Sequence, residues 1–263
     1  WPSAFELAGA GDPGFTRQTA RLMARELAHF GFNTDFAPVL DVWTRPENRV
    51  IGNRAFGSNP EAVILHAGAF AQGLRDEGIF TCGKHFPGHG DTIADSHERL
   101  PVCELQMELI ENIHEKPFRM LADVLDFIMT AHIVAPARDG RFPATLSAAW
   151  VSRARGLPFS GILVSDDLEM GALRDFQDRL AVRALDAGLD MLMVCASQEF
   201  LETCIDDVKS AMMGDFARQG AMQARIRRVE SLNLRASSLR PLKDRKAWNH
   251  EVRSTLSRLH PQD

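Results

Sequence analysis

The sequence has little of what marks a membrane protein, a disulfide-rich secreted protein or a nucleic-acid-binding protein. No apolar run approaches the roughly 20 residues that a membrane-spanning helix needs. Only four cysteines occur among 263 residues and none forms a CxxC pair, which favours a reducing compartment over a disulfide framework. The formal net charge of −5 argues against nucleic acid or an anionic membrane as the main partner. We therefore expect a cytoplasmic protein with neither kind of partner.

Several short motifs and longer patterns are also missing. The phosphate-binding pattern GxxxxGK[ST] does not occur, and neither does the metal-binding pattern HExxH. No signal peptide and no repeat of fixed period is visible. Because the chain starts at Trp1 rather than at a methionine, we expect that the natural protein has residues upstream of it.

The sequence does contain an alternation of apolar, β-branched runs with segments of helical period. The predicted strands are 34–42, 78–86, 126–134, 161–168 and 190–195. The predicted helices are 60–78, 104–123, 147–156, 176–188, 198–213 and 222–235. Near-continuous apolar strands separated by helices indicate buried parallel strands in βαβ units. We predict one α/β barrel domain over residues 1–235 and a polar, arginine-rich, frayed tail over 236–263.

Polar side chains lie at or just after the carboxyl ends of the predicted strands. They are Asp41, Lys84, His85, His132, Asp166 and Asp167. In parallel α/β folds this edge of the sheet is where ligands bind and chemistry takes place. A single acidic residue there could be a helix cap, but several strands that end in polar groups favour a catalytic face.

The tripeptide Asp95-Ser96-His97 follows one of these strands in a glycine-containing loop. Alternate residues of an extended loop point the same way, so the Asp95 carboxylate can bind one nitrogen of the His97 ring. That contact fixes the tautomer and makes His97 a candidate general acid/base near neutral pH. The alternative is a turn with a solvent-exposed histidine.

Five further residues are candidates for which we compare a catalytic with a structural interpretation. Asp166 ends an apolar strand and suits a nucleophile or a metal ligand, whereas Asp167 is better interpreted as a cap. Lys84 and His85 could bind neighbouring hydroxyls of one ligand, although a salt bridge would explain Lys84 equally well. Arg54 lies in a loop and carries little weight by itself.

A metal site is a further alternative that the residues leave open. The potential ligands are His85, His89, Asp91, Asp95, His97, His132 and Asp166, enough for a metal-dependent barrel hydrolase. There is, however, no HxH at a strand end. The lysine beside His85 would also add positive charge close to a divalent cation.

With these residues in view, the chain resembles the NagZ-type β-N-acetylglucosaminidases of glycoside hydrolase family 3. The resemblance rests on "GKHFPGHGDTIADSH", "FAPVLDV", "IGNRAFG" and "SDDLEMGA", which occur in the family's order over about residues 34–172. It implies a (β/α)8 TIM-type barrel with no metal or other cofactor. It also implies a small carbohydrate partner and a monomer.

The resemblance assigns a role to each candidate. Asp166 would be the nucleophile that forms a covalent glycosyl-enzyme, and His97 would be the acid/base, tuned by Asp95. The hydroxyls of the sugar ring would be bound by Arg54, Lys84 and His85. The implied reaction removes terminal β-linked N-acetylglucosamine with retention of configuration, from muropeptides that a bacterial cytoplasm recycles.

One part of the family pattern does not occur in this sequence. The family has an upstream strand that ends in a DxEGGRxxR-like motif, and five predicted strands fall short of the eight of a barrel. We therefore expect a barrel that lacks its N-terminal strands. Three alternatives stay open: a phosphorylase on the same fold, a metal-dependent barrel hydrolase, and a non-catalytic sugar-binding remnant.

Overall fold

The computed structural model describes residues 1–233 and 244–259, and its centre is a sheet of five parallel strands. The strands are β1 (Thr34–Asp35), β2 (Phe80–Phe86), β3 (Phe127–Thr130), β4 (Ile162–Asp167) and β5 (Met191–Met193). They lie side by side in chain order, and every neighbouring pair is parallel. Sequential parallel strands with helices between them are the arrangement of a (β/α)8 barrel. The described residues form five consecutive strands of such a barrel, as the sequence predicts.

Helices fill the connections between the strands and the part of the chain after them. The α-helices are α1 (Ala4–Gly9), α2 (Pro13–His29), α3 (Pro60–Asp76), α4 (Met107–Leu109), α5 (Lys116–Met120), α6 (Ala148–Arg155), α7 (Leu180–Ala187), α8 (Gln198–Met212), α9 (Phe216–Asn233) and α10 (Arg245–Leu256). Short 3-10 segments occur at Gly52–Arg54, Ala122–Val124, Ala144–Leu146 and Gly171–Phe176. In residues 1–233 and 244–259, no helix is both long enough and apolar enough to cross a bilayer.

The two faces of the sheet pack against different partners. Leu163 of β4 belongs to the main core, which the helices share. Its neighbours Ile162 and Val164 belong to a second apolar cluster, which Leu232 of α9 also enters. Side chains alternate between the two faces along a strand. Asp166 therefore continues the face of Val164, at the carboxyl end of the sheet.

The first strand is shorter than the sequence predicts. The expected strand covers residues 34–42, but the ladder of β1 with β2 has only two residue pairs. Val39 then forms an isolated bridge with Lys84 of β2. Pro38 has no N–H to donate to a ladder, so an unbroken strand cannot run through this position.

The helical segments differ from the prediction in two places. The expected helix over 104–123 is divided into α4, a π-helical turn at Ile110–His114 and α5, which contains Pro117 in its first turn. The long helix α2 was missed altogether. Its start is marked in the sequence, because Asp12 accepts the N–H groups of the first turn and Pro13 follows it directly.

The expected frayed tail is wrong for residues 245–256, which form α10. Trp248 donates its indole N–H to the carbonyl of Leu22 in α2 (3.2 Å), and Glu251 forms an ion pair with Arg25 (2.8 Å). Leu256 packs against the main core. An amphipathic helix with these partners is held in place even though its mean composition is polar. The remaining tail residues, 236–243 and 260–263, lie outside the described part, and the boundary at 235 stays a prediction.

Candidate active site

Asp166 is the penultimate residue of β4, and its side chain is 19% exposed. Its Oδ1 accepts the backbone N–H of Asp167 at 2.9 Å. Burial alone would raise the pKa of Asp166, but the nearby imidazoles of His85 and His132 and the ammonium of Lys84 outweigh it, so the pKa lies below its usual value. Asp166 is thus an ionised carboxylate that solvent can still reach. The next residue, Asp167, accepts the N–H of Glu169 at 3.2 Å, as a turn cap does.

His85 lies between two carboxylates at the end of β2. Its Nδ1 is 2.7 Å from Oδ2 of Asp41, and its Nε2 is 3.9 Å from Oδ2 of Asp166. The Lys84–His85 peptide is cis, and the register with β3 shifts between Lys84 and Phe86. The sequence predicts that both side chains can serve one ligand, and both lie near Asp166, whose carboxylate their charges influence.

Arg54 and Lys84 line one cavity of about 250 Å³. Arg54 donates to the carbonyl of Val50 at 3.0 Å and is otherwise exposed, in the loop that precedes α3. Lys84 is half-buried, and this burial lowers the pKa of its ammonium. Asn53 and Phe56 are among the other residues of the wall. A hydroxylated ring in this cavity would meet two cationic donors, an amide and an aromatic surface.

Asp95 and His97 form the pair that their spacing predicts. Oδ1 of Asp95 is 2.8 Å from Nδ1 of His97 and also accepts the backbone N–H of His97 at 2.8 Å. Partial burial opposes these hydrogen bonds, but they prevail, and the pKa of Asp95 lies below its usual value. The side chain of His97 is 65% exposed. Its Nε2 is therefore the ring nitrogen left for a ligand.

The loop that carries His97 is held against the loop that follows Asp166. The carbonyl oxygens of Ser96 and His97 accept the N–H groups of Ala172 and Gly171 at 3.0 and 3.1 Å. A Cβ at position 171 would lie 2.5 Å from the carbonyl oxygen of His97, so only glycine fits there. Across the described residues, no hydrogen bond or ion pair joins His97 to Asp166 directly.

The base of the same loop is anchored by His89, which is 3% exposed. Its Nε2 is 3.1 Å from Oγ of Ser96, and its Nδ1 is 2.7 Å from Oγ1 of Thr92. Burial, which outweighs the attraction of Asp41, lowers the pKa of His89 to about 4. This imidazole is therefore neutral at pH 7 and holds the loop from within.

Three residues that could have been metal ligands make other contacts. His89 binds Thr92 and Ser96, as described, and Asp91 accepts from Thr44 (2.8 Å) and Arg45 (2.9 Å). The ring of His132 lies between Oγ1 of Thr145 and the carbonyl of Asp167, at 2.8 and 2.9 Å. Within residues 1–233 and 244–259, no group of three or more His, Cys, Asp or Glu side chains is arranged to hold a metal ion.

Comparison with known proteins gives this arrangement a family. Residues 1–232 match the family described as "Glycosyl hydrolase family 3 N terminal domain". The chain belongs to glycosyl hydrolase family 3. The resemblance in the four sequence motifs is thereby confirmed.

Relatives within glycosyl hydrolase family 3 agree in both sequence and fold. The chain is 44% identical over 183 residues to "Beta-hexosaminidase" of Alkalilimnicola ehrlichii, covering 68% of this chain and 52% of that protein. It matches the structure of a family 3 beta-N-acetylglucosaminidase from Paenibacillus with a TM-score of 0.89 and 30% identity, over 98% of this chain and 52% of the other. The structure of LpqI from M. tuberculosis matches with a TM-score of 0.80 and 34% identity, over 88% and 70%. The chain spans about half the length of the first two relatives, and the barrel fold is confirmed.

Two carboxylates of this family 3 domain have contacts that the sequence reasoning did not assign. Asp41 was noted at a strand end but given no role, and it receives three hydrogen bonds from His85 and His89. Glu169 was not singled out. Its carboxylate accepts three consecutive backbone N–H groups of the β5–α8 loop, those of Cys195, Ala196 and Ser197. The signal for Asp41 was its place after the apolar run "FAPVL"; nothing local marks Glu169.

Proposed function

We propose that the chain is the catalytic domain of a retaining β-hexosaminidase that removes terminal, non-reducing β-linked N-acetylglucosamine. The observation that carries this proposal is the position of Asp166, an ionised and partly exposed carboxylate beside His85. Arg54 and Lys84 line one cavity, and the Asp95–His97 pair lies on a loop docked against the loop that follows β4. A nucleophile, sugar-binding cations and an acid/base are the parts that such a reaction needs.

The reaction divides into two displacements at the anomeric carbon. In the first, protonated His97 gives its proton to the leaving oxygen while an oxygen of Asp166 forms a bond to the anomeric carbon. In the second, neutral His97 takes a proton from water, the water oxygen attacks that carbon, and the bond to Asp166 breaks. Each displacement inverts the configuration, so the product has the configuration of the substrate.

Asp95 has two tasks in this scheme. Its bond to Nδ1 of His97 keeps that nitrogen protonated, so the proton moves to and from Nε2. Its negative charge also stabilises the imidazolium that exists before the first displacement. Because the side chain of His97 is 65% exposed, its Nε2 is accessible to the leaving oxygen of a substrate that binds beside the loop.

A phosphorylase on the same fold is the second candidate, favoured by one feature of the site. The proposed acid/base is an imidazole rather than a carboxylate, so the proton-transferring group itself carries no permanent negative charge that would repel an incoming phosphate. Product analysis with and without phosphate separates the two. A hydrolase releases free N-acetylglucosamine at the same rate in both, whereas a phosphorylase forms the sugar 1-phosphate only when phosphate is present.

The natural substrates that we propose are N-acetylglucosaminyl-anhydromuramyl peptides, turned over by a monomer in the cytoplasm. Support for a reducing compartment comes from the four cysteines, all of them free thiols and three of them buried. Turnover of purified muropeptides, followed by mass spectrometry, tests the substrate. Light scattering on the eluting protein tests the monomer, and cell fractionation tests the location.

Two substitutions test the assignment of roles. We expect Asp166→Ala to abolish turnover of every substrate, because no covalent intermediate can form. We expect His97→Ala to lose about 10²–10⁴-fold in kcat/KM on a disaccharide but far less on a dinitrophenyl glycoside, whose leaving group needs no proton. The control is His29→Ala, an exposed histidine at the end of α2.

Equal losses on good and poor leaving groups would remove His97 as the acid. Absence of turnover in the wild-type chain with any aryl N-acetylglucosaminide would favour a non-catalytic sugar-binding domain. Loss of activity after exhaustive chelation, restored by a metal, would favour the metal-dependent alternative.

A further inference from the structure

A fully buried carboxylate, Asp41, lies behind the candidate nucleophile. Its side chain has 0% exposure, and it comes from the loop between β1 and α3, not from the strand that carries Asp166. Three hydrogen bonds reach it: from the backbone N–H of His85 (3.2 Å), from Nδ1 of His85 (2.7 Å) and from the backbone N–H of His89 (2.6 Å). A buried charge is costly unless it is paired in this way. These hydrogen bonds therefore hold the Asp41 carboxylate at a buried position where it cannot contact a sugar.

The ring of His85 connects Asp41 to Asp166. A carboxylate only accepts hydrogen bonds, so the 2.7 Å contact places a proton on Nδ1 of His85. The other ring nitrogen, Nε2, then faces Oδ2 of Asp166 at 3.9 Å. The three groups form a line of carboxylate, imidazole and carboxylate. In this line, Asp41 fixes the position of the His85 ring through its hydrogen bond, and the attraction of that ring helps to keep the pKa of Asp166 below its usual value.

Several other titratable groups surround the line formed by Asp41, His85 and Asp166. The titratable groups around His85 or Asp166 are Asp41, Cys82, Lys84, His89, His132, Asp167 and Cys195. Burial pushes the pKa of Asp41 upward, but the attraction of His85 and the hydrogen bonds outweigh it and lower this pKa to about 2. Asp41 therefore carries its charge throughout the pH range in which the domain would work.

Asp41 also supports the loop that carries the acid/base. Its Oδ1 accepts the N–H of His89, and the ring of His89 reaches Oγ of Ser96, the residue before His97. One carboxylate thus fixes the orientation of the imidazole next to the nucleophile and the base of the acid/base loop. A residue with only a packing role would not need both contacts.

We propose that Asp41 is a positioning residue that acts through His85 to keep Asp166 ionised and correctly oriented for attack. This inference rests on the proposed function, since it takes Asp166 as the nucleophile. Asp41 touches neither the sugar nor the reacting atoms. Its effect on Asp166 passes through the ring of His85, so the effect can be measured by combining substitutions at Asp41 and His85.

The test is a double-variant cycle of Asp41→Asn and His85→Gln, measured as kcat/KM against pH on an aryl N-acetylglucosaminide. A hydrogen bond to a charged group is lost in Asp41→Asn, so we expect a fall of about 10–100-fold. We also expect the acidic limb of the profile to move upward by about one pH unit. In the His85→Gln background, Asp41→Asn should cost no more than about threefold, because the connection is already broken.

The matched control is Asp190→Asn, which removes another fully buried carboxylate at the opposite end of the sheet. Asp190 pairs with Arg155 and with Arg228 (2.7 Å to the latter) at the start of β5. We expect this variant to lose stability without a shift of the acidic limb. Multiplicative losses in the double variant, or an Asp41→Asn profile of unchanged shape, would overturn the proposal.

Histidine ring NMR keeps the proposal testable even if a variant folds poorly or the proposed function fails. In the wild-type chain with 15N-labelled histidine, we expect the Nδ1 of His85 to stay protonated from pH 5 to 8, with its signal identified by its loss in His85→Gln. An unprotonated Nδ1 would refute the Asp41–His85 coupling. A protonated Nδ1 in a chain without turnover would support the coupling while the proposed function fails.

Discussion

Acidification should weaken the fold through His89, whose ring is buried in neutral form under the loop that carries His97. The pKa of His89 is lowered from the usual 6.5 to about 4, with burial as the largest cause. In the unfolded chain this histidine takes up a proton near pH 6.5, and in the folded chain only near pH 4. The unfolded state therefore binds more protons between these values, and stability is complete above pH 6.5 and decreases as the pH falls toward 4.

The magnitude follows from the two pKa values. Between pH 7 and pH 5, the proton uptake of His89 in the unfolded state lowers the free energy of unfolding by about 2 kcal/mol. Other buried histidines act in the same direction, since burial also lowers the pKa of His66, His114 and His132. The contribution of His89 must therefore be isolated by a comparison with a variant.

The assay is urea unfolding at pH 7 and pH 5, followed by tryptophan fluorescence, for the wild-type chain and for His89→Gln. Glutamine keeps an amide near Ser96 but has no titration in this range. We expect the wild-type chain to lose about 2 kcal/mol more than the variant between the two pH values. Equal losses, within about 0.3 kcal/mol, would refute the statement that His89 is held neutral by burial.

Three further predictions concern single contacts. Gly171→Ala places a methyl group 2.5 Å from the carbonyl oxygen of His97, so the loop that carries His97 must move away. We expect about a tenfold loss of kcat/KM on a disaccharide. Unchanged activity would contradict the docking of the two loops. Arg153→Met leaves the fully buried Glu115 without its ion pair (2.7 Å), and we expect a loss of about 3–5 kcal/mol in urea unfolding, with a loss below 1 kcal/mol as the contrary result. Trp248→Ala removes the indole that binds α10 to α2, and we expect proteolysis to cleave the C-terminal helix faster, while an unchanged rate would show that the indole contributes little.

The sequence predicts the order of the strands well because each strand is a short apolar run that lies between segments of helical period. Gly78 and Gly188, the last residues of the predicted helices 60–78 and 176–188, adopt φ values of +83° and +114°, which L-residues rarely adopt. It overestimated the strand from residue 34, since a proline inside an apolar run ends the ladder, and it missed α2, although a capping aspartate precedes it. Both errors concern individual backbone N–H groups, one that a proline lacks and some that an aspartate caps, and a hydrophobic pattern does not show them.

For the candidate site, sequence spacing sufficed only where the partners are close in the chain. Asp95 and His97 are two residues apart, so the local geometry brings the carboxylate to the ring. Asp41 and His85 are 44 residues apart, and only the pairing of neighbouring strands brings them together. The hydrophobic periodicity of the sequence gives no information about a contact between residues so far apart in the chain. The roles of the site residues remain predictions that the substitutions above can test.

The contact between α10 and α2 has a consequence for the order of events during synthesis. Leu22 and Trp248 are 226 residues apart, and a ribosome that adds about 5–20 residues per second needs roughly 10–50 s to make the chain between them. Over that interval the part of α2 that α10 later covers stays in contact with water or with a chaperone. Helix α3, which also packs on α2, is synthesised well before α10. Helix α10 can therefore cover its site on α2 only after the whole chain between the two helices has been made.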